Sequence, residues 1–325
     1  MARKMNNKTL LIILAALIGL FAAVRVFRTM RINSNMGRGL IETIDTARVT
    51  SVELFPSSEK GSKIVFTKDN STWKVEKNKL KTDAEENAVR ALLSEISNLK
   101  IDQLIARGKS KWKESAVDDS SGSGIKIYEG SKLLLEMIVG KFNYHPSRNQ
   151  YQQYGGGGVS GNTCVRVAGN EDVYAVPGFL GYAVNQPFNN WRNQSFIKAD
   201  KANVTKISFK YPADSSYVIE KKDTVWFMGT KALPKKNVED FLDKIAWKSN
   251  AAFADDYIPS GNTQYQMVIE GTNMTSVVVS AFVKTPGAFV LNSSINPKNY
   301  FNSDRAGLDD IFPKKELFLT EMKKK

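Results

Sequence analysis

The feature that most constrains this chain is a self-similarity at long period. Asp45-Thr46-Ala47-Arg48-Val49-Thr50-Ser51-Val52 recurs as Asp200-Lys201-Ala202-Asn203-Val204-Thr205-Lys206-Ile207, with Asp, Ala, Val and Thr at identical spacing. Downstream, KIVFTKDNSTWKVEK (63–77) aligns with YVIEKKDTVWFMG (217–229) and sets Trp73 opposite Trp226. AEENAVRALLSEISNL (84–99) then aligns with KKNVEDFLDKIAWKS (235–249), matching Val89, Leu92 and Ile96 to Val238, Phe241 and Ile245. Apolar residues three and four apart form one face of a helix. GIKIYEG (124–130) resembles QMVIEG (266–271), each an alternating strand that ends in a Glu-Gly turn. LLLEMIVG (133–140) and CVRVA (164–168) then correspond to SVVVSAFV (276–283) and AFVLN (288–292).

A repeat of this length implies one supersecondary unit used twice. Each copy reads as two or three strands, one amphipathic helix and a three-stranded antiparallel meander. The expected fold class is α+β, an N-terminal transmembrane helix followed by two tandem repeats, each an antiparallel sheet with one packed helix. The expected organisation is a basic tail and anchor at 1–27, a linker at 28–44, a first module at 45–190 and a second at 191–325. In both copies the Trp lies in the strand before the helix, so it is read as the large core residue under that helix rather than as a ligand platform.

Charge bears on what such modules meet. The formal net charge is +13, but residues 1–46 carry +5 and residues 314–325 carry +3. The body between is mildly basic and has no Lys/Arg run interleaved with aromatics, so nucleic acid is not implied. Basic ends suit a membrane surface. Leu10–Val24, LLIILAALIGLFAAV, has no polar residue, and a helix continued through Val26 and Phe27 reaches 18 residues, with Arg25 able to extend to headgroups. We read it as an uncleaved signal anchor. A cleaved signal peptide and a soluble-core helix are the alternatives. With Arg3, Lys4 and Lys8 retained in the cytoplasm, the expected location is the inner membrane, single-pass, with the large C-terminal part in the periplasm.

The single cysteine, Cys164, forbids an intramolecular disulfide and sits in a strand-like run, where a buried inert thiol is expected. The single histidine, His145, is read as an exposed loop residue, and one His with one Cys supplies no zinc set. Asp118/Asp119, Asp255/Asp256 and Asp309/Asp310 are adjacent pairs. Neighbouring side chains diverge, so turn and cap roles are expected rather than paired acid/base carboxyls. YQQYGGGGVSGNT (151–163) has Gly156 and Gly161 at P-loop spacing, but Asn162-Thr163 stands where Lys-Ser/Thr is needed and a strand follows instead of a helix. The expectation is therefore a strand-to-strand loop spanning 142–163. Tyr144, Arg148, Tyr151, Tyr154 and Gly155, Gly156, Gly157 and Gly158 are its candidate partner-contact residues. No cofactor is implied.

VTSVEL (49–54), IVFTKDNSTWKV (64–75), the helix around ENAVRALLSEISNLK, AVDDSSGSGIKIYEG (116–130), VGK (139–141), CVRVAGNEDVYAV (164–176) and PFNNWRNQSFIKAD (187–200) together resemble the bacterial family called domain of unknown function 4340. The resemblance covers nearly the whole chain after residue 40. It implies a single-anchor envelope protein encoded beside ABC-type transporter or gliding-associated permease components, and it carries no catalytic residues across. The functional expectation is a non-enzymatic binding or accessory subunit of an envelope transport or surface machine. Its partners would be inner-membrane lipid, met through the N-terminal helix, and an envelope protein such as a transporter permease. A glycan- or peptidoglycan-binding module is the alternative within binding proteins. An envelope hydrolase using carboxylates or Ser/Lys is the rival from another class.

Overall fold

The computed structural model describes residues 14, 16–25, 40–145, 160–213, 215–259 and 263–320. Residues 16–25 are helical (α1), and the rest of the apolar segment proposed as an anchor lies outside the described residues except Leu14. Among the described residues no helix is long and apolar enough to cross a membrane. The chain is α+β, with antiparallel sheets and few helices, and divides into two compact units, Met1–Trp191 and Arg192–Lys325.

In the first unit, β1 (Ser51–Phe55), β2 (Ile64–Asp69), β3 (Thr72–Lys77) and β4 (Leu80–Asp83) form an antiparallel ladder before helix α2 (Glu86–Ser97). Then follow β5 (Gln103–Ala106), β6 (Ser123–Glu129), β7 (Lys132–His145), β8 (Ser160–Val167), β9 (Val173–Pro177) and the short helix α3 (Leu180–Val184). The sheet order is β4-β3-β2-β1-β6-β7-β8-β9-β5. Period-2 alternation sends Val52, Leu54, Ile64, Phe66, Trp73, Val75, Ile125 and Ile127 to one face, where α2 lays Val89, Leu92, Leu93 and Ile96 against them. β1 and β2 are joined through a short 3-10 turn (Ser57–Glu59), whereas two residues join β2 to β3 and β3 to β4, and Asn78 and Lys79 both take positive φ, as a two-residue hairpin with the strands' own twist requires.

In the second unit, β10 (Ser195–Lys198) precedes β11 (Val204–Lys210), β12 (Tyr217–Lys222), β13 (Val225–Met228) and β14 (Lys231–Ala232). Helix α4 (Lys235–Ile245) leads to β15 (Trp247–Ser249), β16 (Tyr265–Gly271), β17 (Val277–Thr285), β18 (Ala288–Ser293), β19 (Tyr300–Asp304), α5 (Arg305–Ile311) and α6 (Glu316–Leu319). The main sheet runs β14-β13-β12-β11-β16-β17-β18-β19, the succession seen from β4 to β9 in the first unit, while β15 pairs with β10 instead of joining the sheet. Val238, Phe241, Leu242 and Ile245 of α4 pack on Trp226, Ile207, Ile219 and Met267. Trp73 and Trp226 are thus both core residues, each 4% exposed.

Each sheet has more strands than the periodicity suggested. β4 (LKTD) and β14 (KA) carry no apolar alternation to announce them, and β9 is buried at four successive positions, so it reads as a run rather than as an alternating strand. The expected loop at 142–163 is also shorter. β7 reaches His145 and β8 starts at Ser160, with Phe142, Asn143, Tyr144 and His145 paired to Thr163, Asn162, Gly161 and Ser160. His145 therefore ends a strand rather than lying in a loop. Gly161, one of the two glycines at P-loop spacing, is a strand residue in which a Cβ would lie 2.3 Å from the Asn143 carbonyl oxygen and 2.4 Å from the Phe142 ring. That glycine answers a close approach of chains and leaves no phosphate cradle there.

Candidate functional site

The base of the β7–β8 hairpin is the part of the first unit where backbone irregularity, exposed aromatics and polar side chains coincide. From Val139 to Phe142, β7 takes three residue steps while β8 takes two, from Val165 to Thr163, so one extra residue bulges β7 at Gly140–Lys141. Gly140 allows it: a Cβ there would lie 2.3 Å from the Ser115 carbonyl oxygen and 2.7 Å from Val117 Cγ1, and the Lys141 N–H donates to that same Ser115 oxygen at 3.1 Å. The segment 112–117 is held on the sheet's other face by Trp112, whose Nε1 donates to the Glu171 carbonyl at 2.7 Å, and by Val117, packed with the buried Cys164 and Val173. Arg166 lies 3.9 Å from the Trp112 ring, donates to the Val117 carbonyl through Nε and pairs with Asp119.

The bulge brings Lys141 and Phe142 to a groove of ≈ 470 Å³ whose other walls are Ser57, Ser121, Ser123, Gly181, Tyr182, Asn185 and Gln186. α3 supplies one wall because Leu180 and Val184, four apart, are buried in the core and fix its orientation. Phe179 and Tyr182 are left outside, 40% and 65% exposed. Phe179 stacks face to face on Phe142 at 4.5 Å between centroids, and Tyr182 packs at 6.0 Å from Phe179, tilted by 57°, so the three rings form one packed cluster. Tyr144, 58% exposed, stands two residues farther along β7.

The floor is neutral and rigid. Asn185 Oδ1 accepts from the Ser58 N–H at 2.8 Å and from Ser57 Oγ, and its backbone carbonyl accepts from Ser58 Oγ. The Ser57 N–H donates to Ser123 Oγ, which donates in turn to Ser57 Oγ. A backbone N–H can only donate, so it fixes which end of the Asn185 carboxamide faces Ser58 and leaves Nδ2 as the outward donor. Gln186 is tied at both ends, Nε2 donating to the Tyr182 carbonyl and Oε1 accepting from Asn190. Beside the groove, Asp118 accepts from the N–H and hydroxyl groups of Ser120 and Ser121, which hold its carboxyl far below the usual carboxylate range. That is the turn-cap role expected of it.

Of the residues singled out in the sequence, Tyr144 is exposed on β7 two residues beyond Phe142 and is not among the residues that line the groove. Arg148, Tyr151, Tyr154, Gly155, Gly156, Gly157 and Gly158 lie outside the described residues. The sequence reading missed Phe142, Phe179, Tyr182 and Asn185. The signal was present in FLGYAVNQ (179–186), where aromatics at i and i+3 flank Leu and Val at i and i+4. Asp255, expected to serve a turn, instead holds the buried Arg192 through two hydrogen bonds of 2.7 Å. Among the described residues no three His, Cys, Asp or Glu side chains converge as a metal site.

The second unit has a smaller hollow of ≈ 360 Å³ bordered by Tyr211, Tyr217, Tyr265, Arg305 and Phe312. Lys314, Lys315 and Glu316 also line it, while its tyrosine hydroxyls and Arg305 are engaged within the unit. Both Tyr211 and Tyr217 donate their hydroxyls to the Pro313 carbonyl at 2.5 Å, and Arg305 pairs with Asp309. Burial pushes the Tyr211 phenol up to about 12 and raises Tyr217 further in the same direction. This arrangement fastens the segment between α5 and α6.

The model of the family described as Domain of unknown function (DUF4340) matches residues 75–264, from β3 of the first unit to the residues just before β16 of the second. That is more than half of the chain, and the chain belongs to this family. No curated protein and no solved structure matches it.

Proposed function

We propose that this DUF4340 protein is a membrane-anchored, extracytoplasmic binding protein, non-enzymatic, which serves as an accessory subunit of an envelope transport or gliding-type surface machine. The observation that carries the binding reading is the cluster of Phe142, Phe179 and Tyr182, its last two rings exposed, beside a hydrogen-bonded groove floor. Exposed aromatics on rigid elements, beside oriented polar groups, are what recognition surfaces are built from. The non-enzymatic reading is supported by the carboxylates: Asp118, Asp119 and Asp255 are each engaged by Ser or Arg partners in their own unit. The anchor reading rests on Leu10–Val24, and the periplasmic location on the short basic tail before it.

We also propose that the two units descend from a duplicated module. The shared strand succession, the helix placed after the fourth strand and the equivalent Trp73 and Trp226 support this. A glycan as the occupant of the groove is the second reading, favoured by the floor's neutral hydroxyls and carboxamides.

Crosslinking in native membranes, comparing the parent chain with Tyr182→Ala, tests the binding surface. Capture of an envelope partner should fall sharply in the variant, and unchanged capture would remove the groove from the interface. A C-terminal alkaline phosphatase fusion should be active, whereas activity confined to a cytoplasmic reporter would reverse the topology.

A further inference from the structure

β7 outruns its neighbour β6. Its pairing with β6 ends where Ser123, the first residue of β6, meets Val139, whereas its pairing with β8 continues to His145. The chain before Ser123 does not follow, because the turn capped by Asp118 folds it back, the Gly122 N–H donating to the Asp118 carbonyl at 3.0 Å. Ser115 takes the Lys141 N–H, and from Phe142 outward no described residue pairs with the β6 side of β7. The groove lies in that gap, since Ser123 and residues 140–142 are among its walls.

Alternation fixes which backbone groups face the gap. The Gly161 carbonyl accepts from the Gly178 N–H at 3.1 Å, so Gly161 faces away from β7 and its pair with Tyr144 is a non-hydrogen-bonded one. The N–H and C=O of Tyr144 therefore point to the open side, and so do those of Phe142, two residues before. Two donors and two acceptors thus stand in extended register, which another extended backbone matches and a helix, with its own groups paired internally, does not. The end strands of the two main sheets are each spoiled for such pairing: β4 carries Lys81 and Asp83, β5 shifts register between Leu104 and Ala106, β14 has two residues, and residues 252–254 cover β19. In the second unit the overhang of β17 past β16 is met by Tyr257, packed on Phe282, and by Asp256, paired with Lys284. Among the described residues the overhang of β7 has no such cover.

We propose that residues 142–145 of β7 receive an extended segment of a partner protein as an added strand, main chain on main chain, in the gap left by β6. This rests on the reading of the groove as the recognition surface and gives that surface its partner class. An added strand turns alternate side chains toward Phe142, whose ring stacks on Phe179 beside Tyr182, so apolar residues at every second position suit it.

The probe is a peptide selected by display from a random library against the full chain in nanodiscs, then synthesised. Its binding should be saturable, and N-methylating its backbone one residue at a time should abolish binding at every second position only, the signature of a strand. Amide exchange at Phe142 and Tyr144 should slow in the complex. Tyr144→Pro removes an edge N–H and leaves the β8 side intact, and it should weaken binding about thirtyfold, the equivalent of one lost hydrogen bond and one unsatisfied peptide carbonyl. Tyr144→Ala keeps the N–H and should stay within about fivefold of the parent. No saturable peptide, N-methyl sensitivity without period two, or equal affinity for parent and Tyr144→Pro overturns the proposal. Saturable binding of an N-acetylglucosamine tetrasaccharide and of no peptide does the same and gives the groove to a glycan. The crosslinking assay separates the two levels. Loss of partner capture by Tyr144→Pro and Tyr182→Ala, with Tyr144→Ala unaffected, supports strand addition by the native partner. Loss by Tyr182→Ala alone leaves the binding surface standing and overturns strand addition. Capture unchanged in every variant while peptides still bind removes the machine contact and leaves a peptide-binding edge.

Discussion

Replacing Asp255 by Asn should destabilise the second unit far more than a surface aspartate would. Arg192 is fully buried, its guanidinium donating to both Asp255 oxygens at 2.7 Å and to Asn299 Oδ1 at 2.9 Å, with the Phe253 ring 3.5 Å away. Stranding a buried charge by removing one partner costs about 3–5 kcal/mol. The Asp255 side chain is 42% exposed, so water tempers that figure. The retained Asn299 and Phe253 contacts soften it further, leaving about 2–3 kcal/mol. A loss of about 2.5 kcal/mol multiplies the unfolded population roughly 70-fold. With a urea dependence of about 2 kcal/mol/M, it lowers the midpoint by about 1.2 M. Pulse proteolysis across a urea series, read by mass spectrometry of peptides from residues 192–320, follows this unit separately from the first. The double variant Arg192→Met/Asp255→Asn removes the stranded charge and should recover at least half the loss. A shift below about 0.5 kcal/mol for Asp255→Asn, or a double variant worse than the single, would refute the assignment of that stability to the ion pair.

Two further outcomes follow from geometry. Tyr211 and Tyr217 donate to the Pro313 carbonyl as neutral phenols, and their acid constants are raised above the unfolded value of about 10. Their contribution is therefore fully present below about pH 10 and is lost as the pH rises through about 12, which predicts alkaline loosening of the second unit accompanied by late tyrosinate absorbance. Tyrosines that all ionise near pH 10 with the unit still folded would contradict it. Gly140→Ala should push the 112–117 segment off the sheet, at a cost of about 1–3 kcal/mol, and open Cys164 to thiol reagents. An unreactive Cys164 in a variant of unchanged stability would show that the segment yields without strain.

What was legible in the sequence is what local periodicity encodes. Val89, Leu92 and Ile96 in α2 and their counterparts in α4 declared a helix face, and alternation around Trp73 and Trp226 declared the strands beneath. Pairing over long range was not legible. β5 and β15 follow equivalent helices, yet β5 joins β9 while β15 joins β10, a choice made by tertiary partners. The bulge at Gly140–Lys141 was also silent, since it shows only when the register of β7 is set against β8. Arg192 was silent because an arginine in NNWRNQ reads as part of a polar turn, and only the surrounding Asp255, Asn299 and Phe253 reveal it as a core residue.

The two units share a strand succession, so function has to be sought where they differ. They differ in how the last strand of that succession is protected, because an open strand edge invites unwanted pairing. In the first unit β5 covers β9, and the chain then crosses to the sheet's far face, where Ser115 and Val117 meet the bulge and one side of the groove is made. In the second unit residues 252–254 cover β19 instead: Phe253 bridges Phe301, the Ala254 N–H donates to the Tyr300 carbonyl and the Asn302 N–H donates to the Ala252 carbonyl. Arg192 and Asp255 fasten that cover. The same requirement is thus met in one unit by a strand whose continuation packs on the bulge beside the groove, and in the other by a clamp whose polar groups face each other. That difference gives the first unit its groove of exposed aromatics beside the β7–β8 bulge, the surface on which the binding proposal stands.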